Sequence, residues 1–189
     1  MMKVRWINLI QKIRIGYYKF LSSNTNIVGK PIRKQPVFFA GQGNIIFEGK
    51  VILGYNPSPF FIGNYIYLEA RKQNSQIKIG DQTFINNNLV IIADKGSIEI
   101  GANNRIGTNV EIINSDFHHV HPDKRNLSGN SKDIIIGENV FIGNNVKIMK
   151  GVTIGNNSVI ANGSVVFDNV PANVIVRGNP AEFYKNIER

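Results

Sequence analysis

An aliphatic residue returns at every sixth position through much of this chain. Ile136, Ile142, Ile148, Ile154, Ile160 and Val166 mark consecutive hexads without a slip, and Ile79, Ile85, Ile91 and then Ile100, Ile106, Ile112 keep the same period upstream. A glycine, asparagine or alanine often follows, as in the Ile-Gly pairs at 136–137, 142–143 and 154–155. Neither a helix nor a flat strand places an aliphatic side chain inward only once in six residues. A coil with three short flat faces does, at about eighteen residues per turn. Its aliphatic side chains stack from coil to coil into one column, each contributing about 1.5–3 kcal/mol when fully buried. The small or polar residue after each of them is then expected at a corner, where a positive φ would be needed. The pattern predicts an all-β chain, a parallel β-helix built of hexapeptides. It becomes visible near Ile45. We assign the solenoid to residues 27–176, between a helical segment (1–26) and a C-terminal tail (177–189).

A different period governs the start of the chain. Trp6, Ile10, Ile13, Tyr17 and Phe20 recur at spacings of four, three, four and three. They form one apolar stripe on a helix running from about Met2 to Leu21, weakened by Gly16. Such a stripe packs on the body of the protein or on a neighbouring subunit; the alternative is a basic amphipathic helix resting on an anionic membrane surface.

Charge sharpens that alternative. The formal net charge is +9. Residues 1–34 hold Lys3, Arg5, Lys12, Arg14, Lys19, Lys30, Arg33 and Lys34 with no acid, and the other 155 residues hold 14 basic and 13 acidic side chains. A nearly neutral body argues against a nucleic-acid partner despite the high pI. There is no cysteine, which excludes disulfides and thiolate metal sites. Lys12 and Arg14 interrupt the N-terminal apolar positions, and neither a signal peptide nor a membrane span is legible. A cytoplasmic location is expected, with contact at the inner face of the membrane as the option the helix leaves open.

Two interruptions break the hexads. Asp94-Lys95-Gly96-Ser97 is a short turn-like insertion, and residues 114–133 form a long polar excursion that holds all three histidines, His118, His119 and His121. In a rigid repeat protein such an excursion is where chemistry is expected. A neutral imidazole suits proton abstraction near neutral pH. Three histidines within four residues of one loop are poorly placed for a tetrahedral metal site, so no metal is expected. Asp116 is close enough in sequence to orient a histidine ring.

The excursion Asn114-Ser115-Asp116-Phe117-His118-His119-Val120-His121-Pro122-Asp123-Lys124-Arg125 follows Asn86-Asn87-Asn88 and precedes Phe141 in its hexad. The chain closes with Val170-Pro171-Ala172-Asn173 and Arg177-Gly178-Asn179-Pro180-Ala181. Over residues 60–185 this resembles the hexapeptide-repeat acyltransferases, in the branch of galactoside, maltose, nodulation-sugar and polysaccharide O-acetyltransferases. The resemblance implies a left-handed coil, a homotrimer, and acetyl-CoA as acyl donor in a groove between subunits. By the family's pattern the histidine seven residues before the arginine, His118, is the general base. The upstream asparagine corresponds to Asn86, a donor to substrate or oxyanion. Phe141 stands where this branch usually has tryptophan. Small residues and free backbone amides for the pantetheine arm are expected at Gly143, Asn144, Gly155 and Asn162. Lys150, Arg177 and Lys185 are the candidates for its phosphates. The function implied is O-acetylation of a sugar hydroxyl in a bacterial polysaccharide or glycan precursor. N-acetylation of an amino sugar or a small xenobiotic, and a non-catalytic scaffold, are the alternatives.

Overall fold

The computed structural model describes residues 2–188. The chain is a left-handed parallel β-helix with three walls, the fold class that the hexads predict. The first wall stacks Ile27–Val28, Asn44–Phe47, Ser75–Ile79, Gly96–Ile100, Ile134–Ile136 and Thr153–Ile154. The second stacks Ile32–Arg33, Ile52–Leu53, Phe84–Ile85, Arg105–Ile106, Phe141–Ile142, Val159–Ile160 and Val174–Arg177. The third stacks Val37–Gly41, Ile66–Ala70, Val90–Ala93, Glu111–Ile113, Lys147–Ile148 and Val165–Val166. Successive hexads therefore fall on successive walls. Ile136 pairs with Ile154 on the first, Ile142 with Ile160 on the second and Ile148 with Val166 on the third.

Each hexad sends two side chains inward. The stacked aliphatic is one, and the residue two positions earlier is the other: Val140 with Ile142, Val146 with Ile148, Val152 with Ile154, all buried. The residue between them points outward, as the alternation of a strand requires. Where the earlier position is polar it is paired in most coils, Ser164 before Val166 being the exception. Asn104, wholly buried, donates to the carbonyls of Gly101 (2.7 Å) and Gly137 (2.9 Å) and accepts from the amide of Val140 (2.6 Å).

The corners differ from the expectation in one respect. In the hexads from Ile79 onward positive φ falls three residues after the aliphatic position, at Asn88, Asn103, Asn109, Asn139, Asn145 and Asn157, and not on the residue directly after it. Asparagine tolerates that conformation because its amide bonds locally. Here the amides stack as well, Asn88 on Asn109 and Asn109 on Asn145, each at 2.8 Å. Gly137 is required for another reason: a Cβ there would run into Asn156 Oδ1 and lie 2.9 Å from the Asn156 backbone nitrogen in the next coil.

The helix α1 spans Met2–Leu21. Its stripe does not pack on the body of the chain, because Trp6, Ile10, Ile13, Tyr17 and Phe20 are all exposed. A different face is docked. Gln11, buried, donates to the Phe61 carbonyl at 2.5 Å, Arg14 donates to the Asn64 carbonyl at 2.8 Å, and Tyr18 lies against Tyr65 at 4.8 Å. These partners belong to a second excursion, residues 54–65, between the second and third walls. Periodicity alone does not weigh polar docking of this kind. Residues 177–189 are more than a tail: Arg177 ends the last parallel strand, and Glu182–Asn186 returns antiparallel upon it. No helix among the described residues is long and apolar enough to cross a membrane.

Candidate active site

The long excursion leaves the corner between the third and first walls as a narrow antiparallel hairpin. Ser115 pairs with Ser131 and His118 with Ser128, and a single 3-10 turn at Pro122–Lys124 forms its tip. Its base is pinned to the solenoid. Asn114, wholly buried, accepts from the Asp94 amide at 2.8 Å and donates to the Lys95 carbonyl at 2.7 Å. The buried Asp94 carboxylate accepts from the hydroxyls of Ser115 (3.4 Å) and Ser131 (3.3 Å) and faces Arg71 at 3.7 Å. Arg71 also lies over the Phe117 ring at 4.5 Å, beside His118 in sequence. Glu69 raises the pKa of Arg71 chiefly through its hydrogen bond, so this guanidinium stays charged. The turn-like stretch at Asp94 is thus the anchor of the larger loop.

His118 is exposed on this hairpin, with its ring Nδ1 3.0 Å from the Arg125 carbonyl oxygen. A carbonyl only accepts, so Nδ1 carries the hydrogen and the neutral ring keeps a free lone pair on Nε2. The seven-residue interval between histidine and arginine is thereby closed through the backbone of Arg125. Asp116 does not orient the ring. Its carboxylate is bonded to Lys150 Nζ, and towards His118 it offers only its backbone carbonyl, which accepts from the His118 amide at 2.6 Å. Lys150, expected at a coenzyme phosphate, is held by that ion pair at the loop base. The other two histidines brace the turn: His119 Nδ1 accepts from the His121 amide at 3.1 Å, and His121 Nδ1 from the Asp123 amide at 3.3 Å. Among the described residues no three His, Cys, Asp or Glu side chains are grouped as metal ligands.

On the second wall the structure brings Asn86, Phe141 and Asn144 into one shallow groove, together with Phe84, Arg105 and Gly107. Arg105 lies in register between Phe84 and Phe141 on the coils to either side. Phe84 and Arg105 were not singled out in the sequence, although they occupy the same outward hexad position as Phe141. Asn86 Oδ1 accepts from the Asn87 amide at 2.9 Å. His118 does not line this groove.

Of the four expected amides, those of Gly143, Asn144 and Gly155 are not free. Gly143 N–H donates to Ile160 O and Gly155 N–H to Val170 O, both at 2.8 Å, because the ladder between coils uses the backbone of every wall. The side chains of Asn144 and Asn162 serve the corners. Asn144 Oδ1 accepts from the Thr108 amide at 2.8 Å and Asn162 Oδ1 from the Asn144 amide at 2.7 Å. Arg177 and Lys185 flank one ring, Tyr184, at 3.7 and 5.9 Å. They form a basic cluster on the last coil, separate from Lys150.

A three-walled hexapeptide solenoid with a histidine-bearing loop at one corner is also what the comparisons return, and they add a class, the hexapeptide transferases. The family model for the bacterial transferase hexapeptide (six repeats) matches residues 133–168. A hexapeptide-repeat-containing acetyltransferase from Vibrio cholerae is 28% identical, over 97% of this chain and 85% of that one, with a TM-score of 0.61. A polySia-specific acetyltransferase is 29% identical over 86% and 83%, with a TM-score of 0.60. A maltose O-acetyltransferase from Clostridium difficile 630 is 25% identical over 98% and 86%, with a TM-score of 0.57. No curated protein sequence matches. The chain thus carries a hexapeptide-transferase segment at residues 133–168 and is similar, over nearly its whole length, to solved hexapeptide-repeat acetyltransferases.

Proposed function

We propose that this protein transfers the acetyl group of acetyl-CoA to a sugar hydroxyl of a bacterial polysaccharide or glycan precursor, with His118 as general base. The observation that carries the reading is the Nδ1–Arg125 carbonyl contact at 3.0 Å, which in the neutral ring places the hydrogen on Nδ1 and the free lone pair on Nε2. In the reaction Nε2 takes the proton of the acceptor hydroxyl as its oxygen attacks the thioester carbonyl. The tetrahedral oxyanion is met by a hydrogen-bond donor, the role assigned to the Asn86 amide. The intermediate collapses with loss of the thiolate, to which the His118 imidazolium returns the proton. No group on the enzyme is acylated.

Solved relatives hold the donor or its deacetylated product: a Vibrio cholerae acetyltransferase is complexed with acetyl coenzyme A, and a galactoside acetyltransferase with coenzyme A. Both are 26% identical to this chain. In this chain the Arg177–Tyr184–Lys185 cluster offers two cations to phosphates. The loop of His118 and the groove of Asn86 and Phe141 sit on different walls, with the third wall between their bases. A homotrimer that sets the loop of one copy against the second wall of the next supplies a complete site at each seam.

The test is thiol release from acetyl-CoA in the presence of a sugar panel. A chain without cysteine adds no thiol background. His118→Ala is expected to lose about 10²–10⁴-fold in turnover while retaining a thermal shift with CoA. Unchanged turnover in that variant, or thiol release indifferent to any acceptor, would remove the proposal.

A further inference from the structure

We infer that the outward face of α1, with the basic groove beside it, docks the protein on an anionic phospholipid bilayer. At about 100° per residue, the side chains that meet the body (Ile7, Gln11, Arg14, Ile15 and Tyr18) centre on one side of the helix. The apolar stripe centres about 125° away. It runs the length of the helix through Trp6, Ile10, Ile13, Tyr17 and Phe20, with Leu9 and Leu21 at its edges. Exposure ranges from 41% at Leu21 to 86% at Phe20. A contiguous exposed apolar face of this kind marks an interaction site. Its docked side is fixed by hydrogen bonds from Gln11 and Arg14, so the stripe is not free to roll inward.

Charge names the partner. Lys12 and Lys19 lie on the third side of the helix, about 105° from the body-facing side and about 130° from the stripe, and line two neighbouring grooves, which also take in Lys30, Arg33 and Lys34, with Arg33 common to both. No acidic side chain lines either groove, and residues 1–34 contain none. A second copy presents the same cations and has a body with 14 basic and 13 acidic residues beyond position 34, so it offers this face no complementary field. A leaflet of anionic phosphodiesters does. The helix would lie flat, with Trp6 and Tyr17 at headgroup depth and the lysines reaching the phosphates.

The experiment is co-sedimentation of the intact protein with phosphatidylglycerol-containing vesicles and with phosphatidylcholine vesicles. Binding to the anionic vesicles alone, weakened by salt, is expected. Each cation near such a surface is worth about fivefold in partitioning. Lys12→Glu with Lys19→Glu is therefore expected to bind at least tenfold more weakly, as is Ile13→Glu with Phe20→Glu. Both variants should keep their helix by circular dichroism and their turnover of a soluble acceptor, which separates this inference from the proposed chemistry. Absence of vesicle binding by the intact protein overturns it. So does equal binding to both vesicles, or an apolar-stripe variant whose only change is a smaller oligomer by sedimentation equilibrium, which would make the face an interface between copies.

Discussion

Replacing Gly129 by alanine tests whether the histidine hairpin is a positioning device. Gly129 sits in the returning arm, and its amide donates to the Phe117 carbonyl at 3.1 Å. Its φ is not positive, so alanine can adopt the backbone unchanged. The obstacle is across the hairpin: a Cβ would lie 2.7 Å from His118 O, 2.9 Å from His118 N and 3.0 Å from Asp116 Cβ. All three are rigid neighbours closer than an ordinary contact. Relief requires the arms to part by about 0.5–1 Å, since unstrained contacts lie near 3.5 Å. That movement carries the His118 ring away from the Arg125 carbonyl that fixes its tautomer.

A misplacement of about 1 Å at a reacting group costs on the order of 10²-fold. We therefore expect kcat to fall roughly 10- to 100-fold, equivalent to about 1.4–2.7 kcal/mol in the barrier. The melting temperature should hardly change, because the arm lies outside the stacked core. Two alanine variants serve as controls, since Gly63 and Gly16 have no atom within 4 Å of a built Cβ. Gly63→Ala should be silent. Gly16→Ala, within α1, should stabilise the helix by about 0.8–1 kcal/mol. Steady-state kinetics beside thermal melts decide the matter. Gly129→Ala turnover within about twofold of the parent would refute the reasoning, as would a loss of rate that merely tracks a loss of folded protein.

Asn104→Ala removes both donations to the carbonyls of Gly101 and Gly137 and the acceptor for the Val140 amide; about 2–4 kcal/mol of stability should be lost, read as a lower midpoint in denaturant. The phenol of Tyr67 is pushed up to about 12 by burial, reinforced by its hydrogen bond to Glu69. A raised folded pKa means its stabilising effect is complete below its unfolded value of about 10 and is lost as pH rises through 12. Ultraviolet titration should therefore show an ionisation near 12 that Tyr67→Phe abolishes, and a Tyr67 step near the ordinary tyrosine range would contradict the burial argument.

What could be read from the sequence was what repeats. From Ile136 to Val166 the stacked residue of every hexad is aliphatic, so three walls follow directly from spacing. The first coils obscure the same architecture. They turn inward Val37, Phe39, Ile45, Phe47 and Ala70, and residues 54–65 interrupt them, so side chains of unequal size hide the period. The helix was legible as a helix, but its orientation was not. Gln11 and Arg14 dock through carbonyls of a loop about 50 residues away, and a hydrophobic stripe carries no information about that. At the site, the loop that bears His118 announced itself by breaking the pattern. The atom facing the ring did not, because a backbone carbonyl at Arg125 has no residue-type signature. The Asp116–Lys150 pair spans 34 residues and becomes predictable only once the stacking register is known.

The same accounting of backbone groups limits where recognition can arise. The walls give most of their amides and carbonyls to the coil beside them, as Gly143 and Gly155 show, so a ligand on the outside is met mainly by side chains, corners and loops. The outward hexad position therefore carries the variable chemistry. On the second wall it reads Ile52, Phe84, Arg105, Phe141, Val159 and Ile175, one residue per coil, immediately before each buried aliphatic. Substitutions there leave the column intact and are expected to shift stability by about 0.5 kcal/mol or less. Truncating the adjacent inward residue, as in Ile142→Ala, costs about 2–5 kcal/mol. A solenoid of this design thus separates the residues that hold the fold from those that choose a substrate by a single position in the chain. Exchanging Phe84, Arg105 and Phe141 together should alter acceptor preference without unfolding the protein. If those exchanges leave the acceptor profile unchanged, the groove on the second wall is not the acceptor's place.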